Sequence, residues 1–184
     1  MMKRFFIALM LVAGISATGM AQTENNKFVP TQEELDKYLP ELKVGDTVPE
    51  LKAPDREGKV YDLKDMRGAY VVIDFWATWC GDCRREIPGL KALYADYKDV
   101  KPQSKDLIWV GFSFDFNREA WTKMLDKEQL PWLQISNMKK TREDPTFSEW
   151  KLRWIPAFFV VNPEGVIVGT AITADGLRKV LETL

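Results

Sequence analysis

Residues 70–76 read Tyr-Val-Val-Ile-Asp-Phe-Trp, a near-continuous run of apolar, β-favouring types, and Cys80-Gly81-Asp82-Cys83 follows three residues later. Such a run is the pattern of a central strand buried on both faces. Behind it, residues 81–98 set Ile87, Leu90, Leu93, Tyr94 and Tyr97 on one helical stripe. A buried strand that empties into a helix start predicts a layered α/β domain with the cysteine pair at the junction. Pro88 lies inside the predicted helix and is expected to kink it.

The remaining pattern extends this plan. Residues 50–53 and 59–62 are expected to pair as an N-terminal hairpin around Asp55-Arg56-Glu57-Gly58, followed by a helical turn over 63–66. A second buried strand is expected at 107–112, a helix at 118–127, a short strand at 132–135 and a helix near 147–151. Strands at 157–161 and 166–169 flank a Pro163-Glu164-Gly165 turn, and a last helix from Ala174 buries Leu177, Val180, Leu181 and Leu184. Alternating strands and helices before a final hairpin give a mixed central sheet covered on both sides. Further upstream, Thr31-Gln32-Glu33-Glu34 matches a capping box, predicting a short helix to about Tyr38 that Pro40 ends.

Residues 1–21 read as a signal peptide. Lys3 and Arg4 form a positive start, an apolar run follows, and small residues precede an expected cleavage between Ala21 and Gln22. A retained anchor is the alternative, although the apolar run falls short of the about 20 residues a span needs. Residues 22–44 then form an N-terminal extension and 45–184 the single domain. The expected location is periplasmic or otherwise extracytoplasmic. The formal charge of −1 and the lack of a basic tract argue against a nucleic-acid partner. With no histidine in the chain, acid–base work must fall to Asp, Glu, Cys, Tyr or Lys, and two cysteines alone leave a zinc site half empty. No metal and no cofactor is expected beyond the cysteine pair itself.

In an oxidising compartment the ordinary reading of two cysteines is a structural disulfide. A bridge across so short a loop constrains the unfolded chain by only roughly 2 kcal/mol, which favours a redox role. At a helix start, unpaired N–H groups and the dipole favour a thiolate, lowering the thiol pKa towards about 7 in such motifs. Cys80 is expected to attack a substrate disulfide, and Cys83, one turn in, to resolve the mixed disulfide.

The segment Phe75-Trp76-Ala77-Thr78-Trp79-Cys80-Gly81-Asp82-Cys83-Arg84-Arg85-Glu86-Ile87-Pro88 resembles the active site of the TlpA/ResA-like branch of the thioredoxin superfamily. Trp154-Ile155-Pro156-Ala157-Phe158-Phe159 is similar to that family's second signature, and Asn162-Pro163-Glu164-Gly165 to its hairpin turn. The likeness runs from about Val44 to Leu184. It implies a thioredoxin-like fold with a central insertion between Leu107 and Trp154, and a cis Ile155–Pro156 bond facing the cysteines. It also implies an extracytoplasmic protein-disulfide reductase acting on protein thiols or disulfides as a monomer, fed by a membrane electron donor. Such proteins commonly serve cytochrome c maturation. Pro156 would leave the Ile155 backbone free to pair with substrate.

Two acids stand near the pair. Asp74, inside the buried run, matches the buried acid of thioredoxin, a position where TlpA-like proteins often carry Asn; it is expected to accept the Cys83 proton, the alternative being a satisfied strand-edge carboxylate. Burial would raise its pKa. Glu86 matches the acid that ResA-like proteins place beneath the active site, or else simply complements the helix dipole. Asp82, between the thiols, should disfavour the Cys80 thiolate and make the protein more reducing. Trp76 is expected in the core, Trp79 and Trp154 on the rim of a substrate groove, and Arg84 and Arg85 on a solvated face. The rivals are a disulfide oxidase or isomerase on the same fold and a redox-inactive binding module. A peroxiredoxin is disfavoured because Trp76 stands where a Thr or Ser would assist a peroxidatic cysteine.

Overall fold

The computed structural model describes residues 32–184; the expected signal peptide, its cleavage site and Thr31 of the capping box lie outside these residues. A five-stranded mixed sheet forms the centre. It is built from β3 (Tyr70–Trp76), β4 (Leu107–Ser113), β5 (Leu133–Ile135), β6 (Ala157–Val161) and β7 (Ile167–Ala171). Their spatial order is β5-β4-β3-β6-β7, with β3, β4 and β5 parallel and β6 antiparallel to both of its neighbours, β3 and β7. The preceding hairpin is β1 (Lys52–Pro54) with β2 (Val60–Asp62). The hairpin was expected, but β1 lies nearer the turn than the residue pattern suggests. The Asp55 carboxylate takes the N–H groups of Glu57 and Lys59, both at 2.9 Å, and so draws the strands together there.

Five α-helices, α1 (Gln32–Asp36), α2 (Gly81–Tyr97), α3 (Arg118–Glu128), α4 (Pro145–Glu149) and α5 (Ala174–Leu181), and two 3-10 turns, Leu63–Met66 (the turn expected there) and Pro102–Ser104, complete the described chain. α1 ends two residues sooner than the pattern implied, passing into a tighter turn in which the Leu39 N–H reaches the Asp36 carbonyl at 3.3 Å. α2 runs unbroken through Pro88. Leu184 lies beyond the end of α5, and it and Val180 are half-buried, whereas Leu177 and Leu181 form the core contact.

All seven residues of β3 are buried, as its composition requires. Val71, Ile73 and Phe75 face a cluster holding Phe112, Trp121, Trp150 and Phe159. Tyr70 and Val72 face Leu90 and Leu93 of α2 and Leu177 and Leu181 of α5. Strand alternation therefore directs Asp74 to the side covered by α2 and α5. Both outer strands also receive the stretch before β2: Ser136, just past β5, donates to the Pro54 carbonyl at 3.0 Å, and Ile167 of β7 exchanges bonds with Gly45 and Asp46 at 2.9 Å. In the β6–β7 turn Gly165 adopts φ 79°, a conformation open to glycine, while the Asn162 side chain accepts from Val166 N at 2.8 Å.

Candidate active site

Cys80 is the N-cap of α2, and its Sγ accepts the Cys83 N–H at 3.0 Å. The pair is oxidised, a Cys80–Cys83 disulfide with Cα atoms 5.3 Å apart. After reduction the same amide and the helix start favour a thiolate on Cys80 over one deeper in the helix. Both cysteines are buried, Cys80 at 7 % exposure and Cys83 at 2 %, so Cys80 is the one nearer solvent. The Cys80 Sγ lies 3.4 Å from the Ile155 carbonyl oxygen. The Ile155–Pro156 bond is cis, as the resemblance implied.

The approach to Cys80 is a cavity of about 460 Å³ lined by Trp79, Gly81, Asp82, Phe147, Trp154 and Ile155, among others. Trp79 and Trp154, both about half exposed, line this cavity. Trp154 is braced from two sides: its Nε1 donates to Asp82 Oδ2 at 3.2 Å, and Tyr38 packs on its ring at 5.4 Å between centroids. Asp82 also pairs with Arg85. Its charge is therefore shared with a guanidinium and an indole N–H, which weakens its expected pull on Cys80 without reversing the sign. Trp76 is core, with Nε1 donating to Gln134 Oε1 at 3.0 Å. Arg84, although exposed, is not merely solvated: its Nη1 donates to the Thr78 carbonyl at 2.8 Å.

Asp74 is buried in β3, between Gly111 on β4 and Phe158 on β6, so it is a central-strand residue and not an edge one. Its Oδ1 has no hydrogen-bond partner among the described residues. Burial, assisted by the negative charge of Glu86, pushes its carboxyl up to about 8. Glu86 itself accepts the Ala174 N–H at 2.6 Å, so it caps the first turn of α5 while its charge still reaches Asp74. Neither sequence reading of Glu86 anticipated that α5 would present an unpaired amide to it.

Among the buried carboxylates that escaped the sequence reading, Asp115 bears most directly on the site. Asp115 accepts from Thr78 N at 2.9 Å, Thr78 Oγ1 at 2.6 Å and Ser113 Oγ at 2.6 Å, fixing the loop that delivers Cys80 to the end of β4. The only clue was an Asp between two phenylalanines just past a buried strand. Asp115→Ala leaves three buried donors without an acceptor and is expected to destabilise the protein by roughly 3 kcal/mol, at about 1–3 kcal/mol per unsatisfied group with partial relaxation. Urea unfolding checks this; a loss under about 1 kcal/mol would mean the loop is held by other contacts.

Among the described residues no group of His, Cys, Asp and Glu is arranged to hold a metal ion, and no helix is long and apolar enough to cross a membrane. Residues 44–170 match the AhpC/TSA family. The thiol-disulfide oxidoreductase ResA of Bacillus cereus (strain ZK / E33L) is 39% identical over 127 residues, spanning 69% of this chain and 68% of that one. ResA of Geobacillus kaustophilus (strain HTA426) is 27% identical over 145 residues, covering 77% of this chain and 78% of its own. The thioredoxin domain of a thiol-disulfide oxidoreductase from Bacteroides vulgatus superposes with a TM-score of 0.68 at 30% identity, covering 77% of this chain and 97% of that domain.

Proposed function

The chain belongs to the AhpC/TSA family and is a thioredoxin-like thiol–disulfide oxidoreductase, and on that basis we propose that it works as a protein-disulfide reductase outside the cytoplasm. The observation that carries the chemistry is the Cys80 sulfur held as the N-cap of α2, open to the cavity between Trp79 and Trp154. In the reduced protein the Cys80 thiolate attacks one sulfur of a substrate disulfide, forming a mixed disulfide and releasing the other substrate sulfur as a thiolate. Cys83 gives its proton to Asp74 and attacks the Cys80 sulfur, releasing the second substrate sulfur and leaving the Cys80–Cys83 disulfide. Two electrons pass to the substrate. A dithiol donor, which we assign to a membrane protein, restores the reduced pair. Ile155 offers its backbone to the substrate chain beside Pro156, and the two tryptophans bound the groove. The positive start and apolar run of residues 1–21 support export, with cleavage after Ala21. Cytochrome c maturation is the physiological setting the resemblance supports.

The direction of electron flow follows from Asp82. Its negative charge beside Cys80 raises the cost of the thiolate, and a less stable dithiolate is a stronger reductant. Equilibration against glutathione or dithiothreitol is expected to place the couple nearer thioredoxin at about −270 mV than DsbA at about −120 mV. A midpoint above about −180 mV would instead favour an oxidase or isomerase.

A further inference from the structure

Residues 137–144 link β5 to α4 and read Asn-Met-Lys-Lys-Thr-Arg-Glu-Asp. The link has a fixed shape. Ser136 Oγ donates to the Ser113 carbonyl at 2.7 Å and accepts from Met138 N at 3.1 Å, and Met138 sits at φ 55°. Asp144 accepts from Asn137 Nδ2 at 3.1 Å and caps α4 through Thr146 N at 3.0 Å. The Lys140 carbonyl takes the N–H groups of Glu143 and Asp144 at 2.8 and 3.0 Å. Asp144 is thereby turned inward and buried, while Lys139, Lys140 and Arg142 are all exposed.

No ion pair engages those three cations among the described residues; Lys140 Nζ instead stands 5.2 Å from the centre of the exposed Phe116 ring. Thr141, between Lys140 and Arg142, lines the same cavity as Cys80. The other charges on that cavity are already matched, Asp82 by Arg85 and Arg153 by Glu41. Glu143 is the remaining exposed carboxylate of the link. A chain of net charge −1 therefore presents unpaired positive charge on the residues either side of Thr141, which itself lines the cavity of the reactive cysteine.

We propose that Lys139, Lys140 and Arg142 form a docking site for acidic residues of a protein substrate that flank its disulfide. The proposal rests on the disulfide-reductase reading and names the substrate class for it. Exposed cations on a preshaped lip steer an oppositely charged segment towards the cavity and hold it through several weak pairs. Because Thr141 shares the cavity with Cys80, an extended segment with its disulfide at Cys80 brings nearby acidic residues onto the link.

The test compares three disulfide peptides that differ only in flanking residues, Asp, Ser or Lys, as substrates of the purified reduced protein. Its partner is the triple variant Lys139→Gln/Lys140→Gln/Arg142→Gln. At low salt the acidic peptide is expected to exceed the lysine peptide by about tenfold in kcat/KM, chiefly through KM, as the sum of a few exposed pairs. The preference should collapse at about 0.5 M NaCl, where charges are screened within a few ångströms. It should also vanish in the triple variant, with kcat for the serine peptide retained. Equal kcat/KM for all three peptides, or a preference that survives the triple substitution, overturns the docking site. If no peptide is reduced, the reductase reading fails. Docking is then read from binding of a Ser-for-Cys acidic peptide by tryptophan fluorescence: salt-sensitive binding lost in the triple variant supports it, and equal binding by both proteins overturns it.

Discussion

Replacing Cys80 by serine is expected to lower the rate of insulin disulfide reduction by on the order of a thousandfold or more, because thiol–disulfide exchange runs through a thiolate and a serine hydroxyl cannot supply one. The Cys83→Ala variant should behave differently. Its Cys80 remains at the helix start and still attacks, but nothing resolves the product, so a mixed disulfide with insulin should accumulate to near one per protein. Non-reducing electrophoresis and mass measurement distinguish these outcomes. If Cys80→Ser retained the wild-type rate, or if the wild type reduced no disulfide at all, the catalytic assignment would be wrong and a redox-inactive binding module would take its place. The same trap, used in the native compartment, would identify substrates directly.

The second large effect concerns Asp74. Its carboxyl is raised from 3.8 to about 8 by burial, with Glu86 adding repulsion. Between those values the folded protein keeps a proton that the unfolded chain has released. Stability is therefore greatest below the unfolded pKa and falls as pH rises towards about 8, by up to about 1.4 kcal/mol per pH unit and on the order of 5 kcal/mol in all. The window is unusually clean. The chain has no histidine, and in the oxidised protein neither cysteine titrates. The oxidised wild type is expected to lose roughly 10 °C of Tm between pH 5 and 8, while Asp74→Asn stays nearly flat, at about 2–4 °C per kcal/mol for a chain of this size. Parallel Tm–pH curves for the two proteins would remove Asp74 as a buried titrating group. In the reduced protein the same variant should lose the rise in Cys83 resolution rate that accompanies ionisation of Asp74.

Much of this is legible in the sequence. Residues 70–76 read as a central strand, since six of the seven are apolar, β-favouring types around a single acid. Cys80 and Cys83 followed from their position at its exit, and the thioredoxin-like fold from three motifs, of which the structure brings the cysteine segment and the Ile155-Pro156 loop to one end of the sheet and the Asn162–Gly165 turn to the other. What stayed hidden is what depends on packing between distant segments. Glu86 looked like a helix-start acid because the Ala174 amide it caps lies 88 residues away in sequence. Asp115 drew no reading because Thr78, which it holds through two hydrogen bonds, reaches it only once β3 and β4 are paired in register. Asp82 was read as a lone charge, whereas Arg85 and Trp154 divide it between helix and loop.

The bonds from the Gly45–Asp46 and Pro54 stretch to β7 and Ser136 carry a consequence beyond the redox site. An outer strand with free N–H and C=O groups is a template on which another chain can add and polymerise. Here Gly45 and Asp46 bond to the first residue of β7 and Pro54 to Ser136 beside β5, so a foreign strand adding at those points would have to displace them first. At those points the domain is guarded against the edge-to-edge addition of another chain.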